Sequence, residues 1–152
     1  MITINMESPD QADVLALIAE LDAYQHSLYP AESVYSLDLT ALSAQQLMCA
    51  VARDSEQRAV ACGALVLASE YAEIKRVYVH PDRRGQGLAK QLLNLLEAAA
   101  RKAECRKVML ETGPLQTDAL RLYTQAGYVV CGRFGGYRDD PLSVFMSKNL
   151  VH

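Results

Sequence analysis

A loop past the middle of the chain combines basic residues with glycines directly in front of an apolar helix. Its sequence is Arg83-Arg84-Gly85-Gln86-Gly87-Leu88-Ala89, and it follows an apolar run that ends at Pro81. The first turn of a helix has backbone N–H groups without partners and carries partial positive charge. Because Gly85 and Gly87 have no Cβ, an anion can approach the backbone closely. The pattern therefore predicts a phosphate-binding loop at a helix N-terminus.

Two common phosphate-binding motifs do not fit this loop. A P-loop requires Gly-Lys-Ser/Thr, whereas Gly87 is followed by Leu88 and Ala89. A dinucleotide-binding fingerprint requires a third glycine three residues after Gly87, where Lys90 stands. An ordinary glycine-rich turn between a strand and a helix remains an alternative.

The loop does match the pattern Arg/Gln-x-x-Gly-x-Gly/Ala through Arg84, Gly87 and Ala89. With the Val-x-Pro before it and the apolar helix after it, the sequence resembles the GNAT superfamily of acyl-CoA N-acyltransferases. The resemblance implies that this loop binds the pyrophosphate of coenzyme A. The residues to which it assigns this role are Arg84, Gly85, Gln86, Gly87, Leu88 and Ala89.

A second signature lies near the C-terminal end of the chain. The run Ala119-Leu120-Arg121-Leu122-Tyr123-Thr124-Gln125-Ala126-Gly127-Tyr128 resembles the family pattern Ala-x-x-x-Tyr-x-x-x-Gly-Tyr/Phe. The resemblance implies that Tyr123 protonates the departing sulfur of coenzyme A, although a core aromatic residue is the alternative. Gln116 stands where many relatives have an asparagine that contacts the cofactor, so it is a further candidate contact.

Acyl transfer to an amine also needs a base, because only the neutral amine attacks. Glu73 begins an apolar strand and resembles in position the glutamate base of histone-acetylating family members. A carboxylate whose pKa is raised by burial would suit that role. Glu111 in the next strand is the rival, and a surface ion pair of Glu73 with Lys75 or Arg76 is the alternative.

The backbone of the strand that starts at Glu73 is a candidate cofactor contact. In the family this strand separates from the next one, so its free N–H and C=O groups bind the acyl carbonyl and the pantetheine arm. The resemblance assigns these contacts to Val77 and Val79, whose side chains we expect in the core.

Three further segments resemble a bacterial GNAT subgroup: Tyr29-Pro30-Ala31-Glu32-Ser33, Leu110-Glu111-Thr112-Gly113, and the stretch from Tyr137 to Ser143. We expect these segments to meet around the acceptor amine. The candidate substrate-binding residues are Tyr29, Glu32, Glu111 and Tyr137. Asp139 and Asp140 fit either a solvated turn or a site that attracts a cationic amine.

Composition limits the remaining classes. The chain has 152 residues with a net charge of −3 and no long basic run, which favours a single domain over residues 1–152 and argues against a nucleic-acid partner. No apolar stretch is long enough for a membrane span, so we expect no membrane partner. Four scattered cysteines and three histidines lack metal-ligand spacing. They predict no metal, buried free thiols and a cytoplasmic location; a homodimer is left open.

Hydrophobic periodicity predicts an α+β fold with a mixed central sheet flanked by helices. The predicted order is β-α-(α)-β-β-β-α-β-α-β-β, which is also the order of the GNAT fold. Ser8 is expected to cap the first helix, and Thr117 or Asp118 the last one. A short second helix is expected near residues 40–43.

These patterns together predict an N-acetyltransferase. It would move an acetyl group from acetyl-CoA to a primary amine of a small molecule or peptide, by direct attack in a ternary complex. A catalytically inactive module that binds acyl-CoA is the alternative. A nucleotide-binding protein is less favoured, because the loop lacks the lysine and the third glycine.

Overall fold

A computed structural model describes residues 1–33 and 46–150. Its strands are β1 Thr3–Met6, β2 Leu47–Arg53, β3 Ala59–Leu67, β4 Ala72–Val79, β5 Lys107–Thr112, β6 Val129–Cys131 and β7 Val144–Asn149. Its helices are α1 Ala12–Leu28, α2 Leu88–Lys102 and α3 Thr117–Gln125, with short 3₁₀ helices at Ala31–Ser33 and Pro81–Arg83. The short helix expected near residues 40–43 lies outside the described residues.

The strands form one sheet in the order β1-β2-β3-β4-β5-β7-β6. The β4–β5 pair is parallel, and all the other pairs are antiparallel. A parallel pair needs a crossover connection, which α2 supplies between these two strands. The predicted α+β class with a mixed sheet flanked by helices is therefore confirmed.

The two faces of the sheet are covered by different helices. Because side chains alternate along a strand, each strand contributes to both layers. On one face α1 packs with Val14, Leu17, Ile18 and Leu21 against β2 and β3. On the other face α2 packs with Leu88, Leu92, Leu93 and Leu96, and α3 adds Tyr123. This division decides which candidate residues can meet.

Two predicted helix caps are wrong. Helix α1 begins at Ala12, because Ser8 Oγ accepts the Asp10 N–H within a preceding turn and does not cap the helix. Gln116 occupies the N-cap position of α3, one residue before Thr117, without a side-chain cap. Both cap predictions relied on residue type alone. In the structure, turns precede both helices: Ser8 Oγ accepts the Asp10 N–H, and the Gln116 N–H donates to the Gly113 carbonyl.

The predicted ends of these two helices are confirmed. Tyr29, which precedes Pro30, is extended with φ −130° and ψ 151° and ends α1. Gly127 has φ 98°, the left-handed conformation that glycine adopts after a helix C-terminus.

The cysteines also behave as expected. All four are free thiols; Cys49, Cys62 and Cys105 are buried, and Cys131 is half-buried. Burial raises the pKa of Cys62 to about 12, so this thiol is unreactive at neutral pH. Within the described ranges, no helix is long and apolar enough to cross a membrane.

Candidate active site

The parallel strands β4 and β5 separate within the sheet. They pair only from Ala72–Ile74 to Val108–Leu110, although β4 continues to Val79 and β5 to Thr112. Backbone groups of β4 beyond Ile74 that point towards β5 therefore have no partner in that strand. The separation creates a gap at the centre of the sheet.

The gap exposes the backbone of the two valines that the sequence singled out. The His80 N–H donates to Val60 O at 2.8 Å, so the opposed residues Ala61 and Val79 form a non-hydrogen-bonded pair. The N–H and C=O of Val79 then point away from β3, towards the gap, and Val77 has the same orientation two residues earlier. The Val79 carbonyl accepts a hydrogen bond from Arg84 Nε at 3.1 Å.

A β-bulge lies next to the gap. The β3–β4 register shifts between Cys62 and Ala64, and Arg76 opposite has φ 55°, which is unusual for a bulky residue. The extra residue puts Lys75 and Arg76, although adjacent in sequence, on the same face of the sheet. Lys75 contacts Tyr137 there, and Arg76 Nε donates to Asp22 of α1 at 3.1 Å.

A polar cleft lies on this face, between the end of α1 and strands β4 and β5. Its lining residues are Gln25, Tyr29, Ser33, Glu73, Ile74, Lys75, Arg76, Glu111, Gly113, Gln116 and Leu142. The structure thus brings together Tyr29, Glu73, Glu111 and Gln116 from the sequence candidates. Glu32 is not among the lining residues: it is exposed, and its backbone carbonyl accepts a hydrogen bond from Arg138.

Glu73 is held by two donors. Its Oε2 accepts a short hydrogen bond from the Tyr137 hydroxyl and lies 3.3 Å from Lys75 Nζ. Lys75 Nζ in turn donates to Tyr137 Oη at 2.8 Å. The side chains of Glu73 and Lys75 are only 15% and 12% exposed, so the ion pair is largely shielded from solvent. The three side chains form one closed hydrogen-bonded unit.

Tyr137 is fixed in this position by an aromatic cluster. Its ring makes edge-to-face contacts with Phe134 and Phe145, and Phe134 packs in the same way against Tyr71. These contacts anchor the loop between β6 and β7 over the cleft. Asp139 and Asp140 lie further along this loop; Asp139 lies 3.7 Å from Arg133, and Asp140 Oδ1 accepts the Leu142 N–H.

Glu111 has different surroundings, although it lies in the same cleft. Its Oε2 accepts a hydrogen bond from Ser143 Oγ at 2.8 Å, and among the described residues no basic side chain forms an ion pair with it. Loss of hydration on burial raises its pKa, and the nearby Glu73 and Asp140 add to that rise. The Ser143 hydrogen bond and the charge of Lys75 oppose it. The environment of Glu111 thus favours the protonated carboxyl more than that of a solvent-exposed glutamate does.

Tyr29 and Gln116 form one wall of the cleft around Gly113. The Tyr29 hydroxyl accepts the Leu115 N–H at 3.0 Å, and Gln116 Oε1 accepts the Gly113 N–H at 3.2 Å. A Cβ on Gly113 would lie 1.9 Å from Tyr29 Oη, so this close approach requires glycine. Tyr29 thus joins the end of α1 to the loop after β5.

The glycine loop lies at the N-terminus of α2. Gly85 and Gly87 have φ 81° and 77°, and a Cβ on either would meet no heavy atom within 4 Å. The loop is exposed from Arg84 to Gly87, and Gly87 is the N-cap of α2. Open space above unpaired N–H groups, beside the Arg84 guanidinium, fits a pyrophosphate group. The arrangement is thus suitable for coenzyme A.

Tyr123 lies apart from the acceptor cleft. It is 8% exposed in the core on the α2 side of the sheet, and burial raises its pKa. Its ring contacts Tyr128, whose hydroxyl donates to the buried Glu97 of α2 at 2.9 Å. Lys148 Nζ also donates to Glu97, so the carboxylate that holds Tyr128 is itself fixed by an ion pair. The sheet separates Tyr123 from Glu73 and Glu111 except where β4 and β5 part.

Some contributors to the cleft were missed by the sequence reasoning. Gln25 and Ser33 line it without belonging to a motif. Lys75 was treated only as a surface ion-pair partner of Glu73. Its spacing of two residues from Glu73 in a strand was a usable signal, because such residues share a face.

Comparisons with known proteins agree with this geometry. Residues 14–128 match the model of the acetyltransferase (GNAT) family. The chain belongs to this family. The GNAT chain is 44% identical over 151 residues to the "IAA acetyltransferase" of Azospirillum brasilense, and the match covers 98% of both chains.

Solved GNAT structures share the fold. A Klebsiella pneumoniae protein assigned to the acyl-CoA N-acyltransferases superposes with a TM-score of 0.90 at 43% identity, covering 99% of both chains. An Elizabethkingia anophelis GNAT acetyltransferase with acetyl-CoA bound has a TM-score of 0.73 at 19% identity over 98% of both chains. The sequence resemblance and the expectation of an acyltransferase are thus confirmed, and acetyl-CoA is the acyl donor that this family uses.

Proposed function

We propose that this chain is an N-acetyltransferase that moves an acetyl group from acetyl-CoA to a primary amine of a small molecule or peptide. The observation that carries the proposal is the gap between β4 and β5. A polar cleft with two carboxylates adjoins the gap, and the glycine loop follows directly after β4. The four free thiols favour a cytoplasmic site of action.

The donor fits the loop and the free edge of β4. The loop from Arg84 to Ala89 would hold the pyrophosphate, and the backbone of Val77 and Val79 would hold the pantetheine arm. Gln116 is a further contact at the wall of the cleft. Acetyl-CoA supplies the acetyl group and leaves as the thiol.

Within the cleft, the contacts favour Glu111 over Glu73 as the base. Glu111 combines a raised pKa with a hydroxyl as its hydrogen-bond partner, so it is suited to accept a proton from an ammonium group. Glu73 already receives hydrogen bonds from Lys75 and Tyr137, which suits a residue that positions others. Tyr123 would protonate the departing thiolate from the opposite side of the gap.

The identity of the acceptor amine is tested with a turnover screen. The protein is incubated with acetyl-CoA and a panel of amines, amino acids, peptides and IAA, which the name of the Azospirillum relative suggests, and free thiol is measured. Intersecting double-reciprocal plots would support direct transfer in a ternary complex, whereas parallel lines would indicate an acyl-enzyme. Coenzyme A binding by calorimetry without turnover of any acceptor would instead support the inactive binding module.

A further inference from the structure

The acceptor cleft contains charges of both signs. Glu73 and Glu111 lie on its wall together with Lys75 and Arg76. A cleft for a simple amine needs only acidic groups, because its ligand arrives as a monocation. Lys75 and Arg76 are each paired with one carboxylate, Glu73 and Asp22, and both still line the cleft, which a simple amine does not require.

The bulge in β4 places the cations there. In a regular strand, adjacent side chains point to opposite faces, and only one of Lys75 and Arg76 would face the cleft. The positive φ of Arg76 turns both towards it. Unfavourable backbone conformations of this kind persist mainly at functional sites. The chain thus maintains an unusual conformation that adds positive charge to the acceptor side.

Lys75 is the cation best placed to meet a ligand. An ammonium group has three N–H donors. Among the described residues it has two acceptors, Tyr137 Oη and Glu73 Oε2, which leaves one donor for the cleft. Arg76 adds a second positive charge beside it, while its Nε is held by Asp22. The closed unit with Tyr137 prevents Lys75 from turning away.

The two signs are arranged around different groups. In the part of the chain that the structure describes, Glu111 has only a hydroxyl as its hydrogen-bond partner, and it lies near Asp140. By contrast, Lys75 and Arg76 lie on the β4 side of the cleft, where Glu73 and Asp22 offset part of their charge. An ammonium group is attracted to the first region and a carboxylate to the second. A ligand with both groups satisfies both regions at once.

We infer that the acceptor is an amine that carries its own carboxylate, that is, an amino-acid-like zwitterion. The inference rests on the proposed function. The ammonium faces Glu111, and the carboxylate accepts the remaining N–H of Lys75. During transfer the C–S bond of the thioester breaks and a C–N bond forms. The departing thiolate takes a proton from Tyr123; of the two protons that the ammonium loses, one passes through Glu111 to solvent and the other balances the proton that Tyr123 has given up.

The test compares amino acids with their carboxamides, which keep the amine but lose the negative charge and therefore also have a lower amine pKa. The kcat/KM ratio of acid to amide is measured at one pH for each pair in the wild type, with each value expressed per neutral amine from the measured amine pKa. We expect amino acids to be preferred by at least about tenfold, the size of one charge-assisted hydrogen bond. Equal or better turnover of the amides would overturn the inference while leaving the acetyltransferase proposal intact. If no amine is acetylated, the proposed function itself fails.

Variants at position 75 test whether Lys75 causes the preference for amino acids over their amides. In Lys75→Met the acid-to-amide ratio should fall towards one, and in Lys75→Arg it should largely persist. Comparing ratios cancels both general damage to the site and the difference in amine pKa between acid and amide. Tyr137→Phe is a graded comparison: it keeps the charge of Lys75 but removes one of its two acceptors, so its ratio should fall less than that of Lys75→Met. An unchanged ratio in Lys75→Met would overturn the role of Lys75.

Discussion

Glu111 is the residue whose chemistry depends most on its surroundings. It is a half-buried carboxylate that accepts a hydrogen bond from the neutral hydroxyl of Ser143. Removing a carboxylate from water without a compensating cation disfavours its charged form. The same burial that supports the proposed role of Glu111 as the base therefore lowers the stability of the fold once Glu111 is ionised.

Stability should change with pH through this residue. The pKa of Glu111 is higher in the folded chain than its ordinary value of 4.5. At a pH above 4.5 the folded state therefore holds on average more protons at this carboxyl than the unfolded state does. The free energy of unfolding then decreases with increasing pH. We expect Glu111→Gln to melt at a higher temperature than the wild type at pH 7–8, with the difference disappearing near pH 4. Ser143→Ala is a useful comparison, because it removes the donor and should raise the pKa further. A Glu111→Gln variant that is less stable than the wild type at pH 8 would contradict this account.

The role of Tyr123 can be separated from its packing. Its ring packs against Tyr128, but its hydroxyl makes no hydrogen bond to another described residue. Tyr123→Phe should therefore preserve stability and coenzyme A affinity while lowering kcat by roughly 100-fold, within the range of general acid–base catalysis. Steady-state kinetics and calorimetry on the same preparation check this. Normal turnover in the variant would show that water or another group protonates the departing thiolate.

At the scale of elements, we expect the junction between β4 and α2 to determine donor binding. Gly85 and Gly87 give the loop left-handed conformations, and the space beside them is open. A single Cβ would therefore project into the region that a phosphate must enter, without a clash in the free protein. A substitution in this loop can therefore weaken the binding of coenzyme A without preventing the chain from folding.

Gly87→Ala tests this separation. The left-handed backbone makes alanine unfavourable by roughly 1–2 kcal/mol, so the variant should fold with a lower melting temperature. Its affinity for coenzyme A should fall at least about tenfold in calorimetric titrations. Gly127→Ala is a strain-matched control, because Gly127 also has positive φ, at 98°, but lies at the end of α3. It should lose similar stability and retain affinity; equal affinity in both variants would contradict the assignment of the loop.

The contact between α1 and the loop after β5 gives a second prediction at this scale. A Cβ on Gly113 would lie 1.9 Å from Tyr29 Oη and 2.2 Å from its Cζ, and a rigid ring cannot yield to it locally. We expect Gly113→Ala to lower the free energy of unfolding by about 1–3 kcal/mol, as overpacking does. In a Tyr29→Ala background the same substitution should cost much less. Additive effects in this double-mutant cycle would show that the two residues are not coupled.

For the molecule as a whole, most of the fold follows from sequence periodicity. The apolar spacing of Leu88, Leu92 and Leu96 predicts α2, and the Tyr29–Pro30 step predicts the end of α1. The glycine loop is also predictable, because its function depends on the backbone of one short segment. These features are local, so neighbouring residues are sufficient to specify them.

The acceptor cleft could be predicted only in part. Motifs identified Glu73, Glu111 and Tyr29, but they did not indicate which of the two carboxylates forms an ion pair with a basic side chain. That distinction depends on Lys75 and on Tyr137, which is 64 residues from Glu73 in the chain. The bulge that turns both Lys75 and Arg76 to one face has no sequence signal, because Arg76 is not a residue type expected at positive φ. Tertiary contacts decide such features.

The most direct test of the whole account is the pH dependence of kcat/KM in the wild type, Glu111→Gln and Glu73→Gln, with one accepted amine. A lysine-like amine has a pKa of about 10.4, so a base is needed most at neutral pH. We predict that Glu111→Gln is strongly impaired near pH 7 and recovers as pH rises, because hydroxide then deprotonates the amine. Glu73→Gln should be impaired without this alkaline recovery. Alkaline recovery in Glu73→Gln, together with a wild-type profile in Glu111→Gln, would contradict the account and make Glu73 the base.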